Sequence, residues 1–337
     1  MYPTDGVVMK VDQARLQQQL GRTRHAPSWA LAYKWAGEQA VTTVERIEVQ
    51  VGRSGRATPV AVLAPVSLAG ATIRRCALHN FEYLLRHALA PPQAVLVERV
   101  GATIPSIRPP SPPLGPPQVT SEHIRSYIAT AGLRCPCQQG GPLVVRDQEV
   151  LCAASEQGRC HRQLVARITH FAGKTAMDVP GLGPTTVEKL VLAGAVGSIA
   201  DLLRLPDIPP AAGIPGLGAG ARLQKLLEGI RGVRRRPTTP EGSRERVARV
   251  LVAFGIPQVG ESAAALLAQH YPAAPQLLSA VRDGEPALQT LLGPAAVDSL
   301  RGFFVHSPER DLAIELLEGA SLLDGRKGSF SFVVTDE

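Results

Sequence analysis

The chain has 337 residues, 45% of them hydrophobic, which is enough apolar material for two or more folded domains and excludes wholesale disorder. No apolar run reaches the roughly 18 residues that a membrane-spanning helix needs. The first residues also lack the charged-then-apolar pattern of a secretion signal. We therefore expect a soluble, multi-module, cytoplasmic protein that has no membrane partner.

The net charge is +7, from 36 basic and 29 acidic residues, and 30 of the basic residues are arginine. Guanidinium groups suit bidentate contacts with phosphate, which favours a polyanionic partner. A general preference for arginine over lysine explains the same composition, so composition alone leaves both interpretations open.

Residues 1–38 read as the end of a domain. The pattern predicts a strand over 7–11, a helix over 13–20 and a second strand over 29–35, which together cannot close a core. Lys10 and Lys34 fall on these two strands. They are interpreted either as two ammonium groups that hold one nucleotide phosphate, or as two solvated lysines.

Residues 39–108 carry short strands separated by glycine and proline turns, which predicts a small barrel of OB-fold size. The predicted strands cover 44–51, 58–63, 71–78 and 94–100. Seven prolines between 105 and 117 predict a stiff polyproline spacer, and a linker with a short helix is assigned to 109–130. Cys76 is predicted to be an ordinary half-buried thiol.

Four further cysteines lie within residues 131–165 and predict a small zinc module with four thiolate ligands. They are Cys135, Cys137, Cys152 and Cys160. One residue rather than two separates the first pair, so His161 is a substitute ligand to consider. Reduced thiols and a catalytic cysteine are the alternatives.

Residues 166–322 predict an α-helical repeat of helix-hairpin-helix units, almost all helical from about residue 198. Glycines in such turns let backbone N–H groups at a helix N-terminus approach a phosphate. The candidate DNA-binding glycines are Gly181, Gly183, Gly216, Gly218 and Gly260. A fourth turn at 291–294 lacks the Gly-x-Gly pattern, which indicates packing only.

A basic tract lies beside these turns, and we expect it to contact DNA phosphates, the alternative being a solvated charged face. It consists of Arg231, Arg234, Arg235, Arg236, Arg244, Arg246 and Arg249. Residues 323–337 end in an alternating strand pattern. The predicted fold class is therefore multi-domain α+β: the end of one domain, an OB-fold barrel, a small four-cysteine zinc module and a helical hairpin domain.

Several stretches, in this order, resemble bacterial NAD-dependent DNA ligases. Asp5-Gly-Val-Val-Met-Lys10 looks like nucleotidyltransferase motif IV, and Trp29 to Lys34 looks like motif V, with Trp35 where the family usually has Phe. Other similar stretches are Gly52-Arg53-Ser-Gly55, Leu78-His79-Asn80, Glu98-Arg99, the cysteine module, the hairpins and a BRCT-like strand at 330–335.

The resemblance implies an enzyme that seals nicked double-stranded DNA in replication and repair, with NAD as AMP donor and with Mg²⁺ and structural Zn²⁺. By motif, Lys10 and Lys34 would contact the AMP phosphate, and Asp5 would shape that pocket. Arg53 and Arg99 would grip the DNA backbone near the nick.

The family's Lys-x-Asp-Gly nucleophile does not occur in these 337 residues, nor do we find the nicotinamide-binding region or the earlier adenylation motifs. We therefore expect that this chain does not adenylate itself and needs an adenylation domain from elsewhere, for example from a separate adenylation-domain chain. A non-catalytic nick- or duplex-binding protein and a decayed ligase remnant are the alternatives.

Overall fold

The computed structural model describes most of the chain: residues 6–23, 26–35, 37–99, 104–108, 113–137, 140–207, 217, 221–235 and 239–318. Asp5, Gly216, Gly218, Arg236 and the strand predicted near the C-terminus lie outside the described residues. The chain divides into two compact units, Met1–Val51 with Gly55–Gln157, and Gly52–Ser54 with Gly158–Glu337.

The first unit begins with a two-stranded ribbon. Strand β1 (Gly6–Lys10) pairs antiparallel with β2 (Ala30–Lys34), and helix α1 (Ala14–Leu20) connects them. Helix α1 contains no buried residue, and side chains on both faces of the ribbon are open, since Val8 is 60% and Leu31 66% exposed. The three predicted elements are therefore present.

The next residues form a five-stranded antiparallel sheet with spatial order β5-β4-β3-β6-β7, which is the OB-fold sheet that the strand spacing predicts. Its elements are β3 (Glu38–Val51), β4 (Ala57–Leu68), β5 (Ala71–Ala77), α2 (Phe81–Arg86), β6 (Gln93–Arg99) and β7 (Ser106–Arg108).

Strand β3 organises this sheet because it has two different partners. Its first half pairs with β6, as at Thr42↔Val95, and its second half pairs with β4, as at Ile47↔Ala61. The register shifts between these halves, next to Val44, and such irregularities bend a strand. The sheet curls so far that Cys76 Sγ on β5 donates to the carbonyl of Pro105, just before β7.

Two predictions in this unit are corrected. Residues 106–108 are a sheet strand and not part of a polyproline spacer, because Ile107 pairs with Val97 and is buried. Cys76 is buried, at 2% exposure, rather than half-buried. It lies among the apolar side chains of the barrel, including Leu63, Leu78 and Val97.

The first unit ends with small elements around the cysteines. They are α3 (Ser121–Thr130), the two-stranded ribbon of β8 (Leu143–Arg146) and β9 (Glu149–Cys152), and α4 (Ala153–Glu156). Thr120 and His123 cap α3 reciprocally. The short helix expected between the prolines and the cysteines is therefore present.

From His161 onward the described part of the second unit is helical, so helices also occupy the stretch before residue 198. The described helices are α5 (His161–Phe171), α6 (Pro184–Leu192), α7 (Ile199–Arg204) with a 3₁₀ turn (Leu205–Asp207), α8 (Ala221–Arg234), α9 (Pro240–Ala253), α10 (Glu261–His270), α11 (Ala274–Asp283), α12 (Pro286–Leu292), α13 (Pro294–His306) and α14 (Arg310–Glu318). One continuous apolar core joins them, with Phe171, Leu202, Leu267 and Phe304 fully buried.

None of the helices that the structure describes combines the length and the apolar character needed to cross a lipid bilayer.

Candidate functional site

The four clustered cysteines meet in space. Cys135 and Cys137 lie in the segment before β8, Cys152 ends β9, and Cys160 caps the N-terminus of α5. All four are buried, and their Sγ atoms lie within 4.8 Å of one another. Because the four come from a stretch of 26 residues, the cluster is a local feature of the chain. His161, the substitute ligand, is not one of the four.

A glycine fills the tight turn that the short Cys-x-Cys spacing creates. The Gly141 N–H lies 3.4 Å from Cys137 Sγ, and the Gly141 carbonyl accepts from the Cys135 N–H at 3.1 Å. A Cβ on Gly141 would lie 3.3 Å from the Sγ of Cys152. A hydrogen bond to sulfur favours the thiolate form that a metal needs.

The donor set fits a zinc ion. Four thiolates at about 2.3 Å around a tetrahedral zinc stand about 3.8 Å apart, so a small inward movement brings these sulfurs into place. The one-residue spacing of the first pair therefore does not keep the sulfurs apart. The cluster could hold zinc in a structural role, since four protein ligands close the coordination sphere.

Lys10 and Lys34 lie on one face of the two-stranded ribbon. Lys34 pairs with Gly6 and Lys10 pairs with Ala30, and residues four apart on a strand share a face. Both side chains are exposed, and their positions are about 14 Å apart along the strands. The ribbon thus places both ammonium groups on one surface, near its opposite ends.

The two arginines assigned to DNA have partners within the protein. Arg99 NH1 donates to the carbonyl of Ala69 at 3.1 Å. Arg53 is exposed, and its NH1 lies 2.9 Å from Nδ1 of His170. No sequence signal pointed to His170, because 117 positions separate the two residues.

The described hairpin glycines have the open geometry that a backbone–phosphate contact requires. Gly181 has φ of +83°, and Gly183 and Gly260 are the N-caps of α6 and α10. A Cβ at any of these three would meet nothing within 4 Å, and no side chain caps either helix. No side chain therefore blocks the approach of an anion to the backbone at these helix N-termini.

The basic tract is partly internal. Arg234 NH1 lies 2.9 and 3.0 Å from the two carboxylate oxygens of Asp207. Arg246 is only 9% exposed, and Arg249 bonds to Glu245 and to a backbone carbonyl. Arg235 lines a cavity of about 400 Å³ beside the first hairpin. The described part of the tract therefore does not form a uniformly solvated charged face.

An OB-fold sheet, a buried four-cysteine cluster and a helical unit with glycine-led turns define a modular α+β chain. The sequence profile of the NAD-dependent DNA ligase adenylation domain matches residues 1–38, and that of the NAD-dependent DNA ligase OB-fold domain matches residues 41–114. Together the profiles cover the ribbon and the barrel.

Relatives extend the similarity into the helical unit. A DNA ligase of Syntrophotalea carbinolica is 36% identical over 318 residues, which is 94% of this chain and 44% of that protein. A DNA ligase of Pelotomaculum thermopropionicum is 36% identical over 320 residues, again 94% and 44%. For the DNA ligase of Thermotoga petrophila the figures are 33% over 346 residues, 99% of this chain and 47% of that protein.

The chain is thus similar to a C-terminal portion of NAD-dependent DNA ligases, with both profile matches in its first 114 residues. It spans less than half the length of the curated relatives that it matches.

Proposed function

We propose that this chain takes part in sealing nicks in duplex DNA, as the part of an NAD-dependent ligase that clamps the DNA and contributes two lysines to the AMP site. One observation carries the proposal: residues 1–38 match the ligase adenylation domain, and their ribbon presents Lys10 and Lys34 on one face. The proposed setting is replication and repair in the bacterial cytoplasm, at the nucleoid.

The two lysines act on the phosphate of AMP, which NAD supplies in this family. Fixed cations at a transferring phosphoryl group stabilise the charge that develops on it, and they need no reorganisation at the moment of reaction. Asp5, expected to shape this pocket and help to place Mg²⁺, lies outside the described residues. Its role therefore rests on the motif alone.

DNA binding is assigned to the barrel and the glycine turns. Arg53 and Arg99 and the backbone N–H groups of the hairpins contact phosphates, which positions DNA without reading its sequence. The cysteine cluster holds zinc and fixes its own segment, which is too small for a core of its own.

The proposed partner for the adenylation step is an adenylation domain. The family's Lys-x-Asp-Gly nucleophile is absent from the 337 residues, so we propose that the chain alone forms no AMP–lysine bond. The ribbon suits docking: within the described residues β1 and β2 pair only with each other, and Leu31, Tyr33 and Trp35 are each about half exposed or more. Exposed apolar side chains grouped in this way mark interaction surfaces.

Supplying the adenylation domain in trans tests the proposal. We expect the intact mass of the chain to stay unchanged with NAD and Mg²⁺, and nicked duplex to be sealed only when the domain is added. Lys10→Ala with Lys34→Ala should reduce sealing at least about 100-fold, because the AMP phosphate loses both cations. Lys225→Ala, an exposed lysine on α8, is the matched control and should seal normally.

Three outcomes contradict parts of the proposal. An added AMP on the chain alone would show that it holds its own nucleophile. Sealing that survives loss of both lysines would remove them from the AMP site. Tight DNA binding with no sealing under any condition would favour a non-catalytic nick-binding protein.

A further inference from the structure

Arg53 is bonded to helix α5 at both of its ends. Nε2 of Gln163 donates to the Arg53 carbonyl at 3.2 Å. At the other end of the residue, NH1 lies 2.9 Å from Nδ1 and 2.5 Å from Nε2 of His170. An arginine on an exposed loop normally samples many rotamers, whereas this one is held at its backbone and its head.

His170 has the protonation state that this contact requires. Its Nε2 lies 2.8 Å from the carbonyl of Val252. Because a carbonyl only accepts, the proton belongs on Nε2, and the Nδ1 lone pair accepts from Arg53; the 2.5 Å approach of NH1 to Nε2 is then a contact and not a hydrogen bond. Burial, together with the charge of Arg53, lowers the pKa of His170, against the opposing effect of the Val252 carbonyl. The ring is therefore neutral at pH 7.

Gly255 closes the other side of the guanidinium. It has φ of +61°, and a Cβ there would lie 3.1 Å from NH1 and 3.2 Å from Cζ of Arg53. Gly255 opens the third hairpin (residues 255–260), whose last residue, Gly260, caps α10. The head of Arg53 is thus fixed against the backbone of that hairpin.

We propose that His170 is a positioning residue for DNA, which holds the guanidinium of Arg53 beside the third hairpin so that its solvent-facing donors meet a backbone phosphate. The inference rests on the proposed function, since it requires the chain to bind nicked duplex. A prealigned guanidinium loses less side-chain freedom on binding than a mobile one. The resulting gain in DNA affinity is the effect to measure.

Salt-dependent binding to a fluorescent nicked duplex, combined with a double-mutant cycle, tests the proposal. Arg53→Ala should weaken binding about 10-fold and reduce the slope of log K against log salt by about one. His170→Ala should weaken binding several-fold and reduce the slope in the same way. The double variant should be no weaker than Arg53→Ala alone, because both changes remove one contact.

Two controls separate positioning from a general structural defect. His306→Ala, an exposed histidine at the end of α13, should bind like the wild type. The second is a pH series between about 8 and 5 that needs no substitution of His170. Among the described residues, Arg53 is the charged group that acts on this ring. Protonation should therefore remove the acceptor, and the difference between wild type and Arg53→Ala should shrink toward the acidic end of the series.

The outcomes distinguish the inference from the proposed function. A wild-type chain that does not bind nicked duplex at low salt overturns both. Binding that depends on Arg53 but not on His170, or losses that add in the double variant, overturns the positioning role alone. A contribution of Arg53 that persists unchanged once the His170 ring is protonated overturns it as well.

Discussion

Gly141 decides how closely the cysteine sulfurs approach one another. Its N–H lies 3.4 Å from Cys137 Sγ, and a Cβ there would lie 3.3 Å from Cys152 Sγ. Gly141→Ala should lower zinc affinity roughly 10-fold, since it pushes one sulfur outward in a site tuned by hydrogen bonds to its ligands. Competition with a chromophoric chelator measures the affinity, and the Co²⁺ absorption bands report the geometry.

Gly302→Ala is the matched control for this prediction, because a Cβ there on α13 meets nothing within 4 Å. An unchanged Co²⁺ spectrum and unchanged affinity in Gly141→Ala would mean that the turn relaxes without cost. The glycine would then serve chain folding only.

Arg246 is a buried cation that serves as a donor to three carbonyls. Its NH2 donates to Val233 at 2.9 Å, NH1 donates to Arg235 at 3.1 Å, and Nε donates to Leu316. Burial lowers the pKa of Arg246, which is consistent with its removal from water. Arg246→Met should cost about 3 kcal/mol of unfolding free energy, because it leaves buried acceptors unpaired.

Urea unfolding measures this loss, with Arg244→Met, an exposed arginine on the same helix, as control. Both substitutions remove one positive charge. A difference in unfolding free energy between the two variants therefore reports the buried hydrogen bonds of Arg246 and not the loss of charge. Equal stability of the two variants would contradict the structural role of Arg246.

At the scale of elements, the sequence predicted the strands and the helix whose bounds depend on nearby residues. The ribbon strands, the α1 helix and the cores of β3 to β6 appear within a few residues of their predicted bounds, because alternating apolar residues and turn residues fix them. Strand β3 begins at Glu38 instead of residue 44 because its first half is stabilised by pairing with β6, which lies far along the chain.

Strand β7 was missed for the same reason, because its formation depends on residues far away in the sequence. Seven prolines around it indicate a spacer, and a tripeptide has too little pattern of its own to compete with that signal. Ile107 becomes a strand residue because the barrel buries it against Val97. Tertiary burial of this kind overrides composition and is not visible in the sequence.

The barrel and the cysteine segment should differ in thiol reactivity. Burial raises the pKa of Cys76 to about 11, so its thiolate, the reactive form, is scarce at neutral pH. N-ethylmaleimide should modify no cysteine of the zinc-loaded protein, four after chelation, and Cys76 only in denaturant. Intact mass counts the adducts. A fifth adduct before denaturation would mean that the barrel opens.

Across the whole molecule, the sequence identified the parts of the candidate site but not their connections. The cysteine tetrad was predicted because its members lie within 26 residues, and its ligand atoms do converge. The contact between Arg53 and His170 spans 117 positions, and no spacing rule reaches that far. The domain boundaries beyond the two matched profiles, and the DNA and AMP roles of the named residues, stay predictions.

The two ends of helix α5 belong to two different candidate sites. Its N-cap is Cys160, whose carbonyl accepts from the Leu164 N–H, and its last turn carries His170, about 15 Å further along. Loss of metal should accelerate amide deuterium uptake in the first turn, whereas occupancy of the proposed DNA contact should slow it in the last. A single peptide from this helix would therefore report two separate events, one from each of its ends.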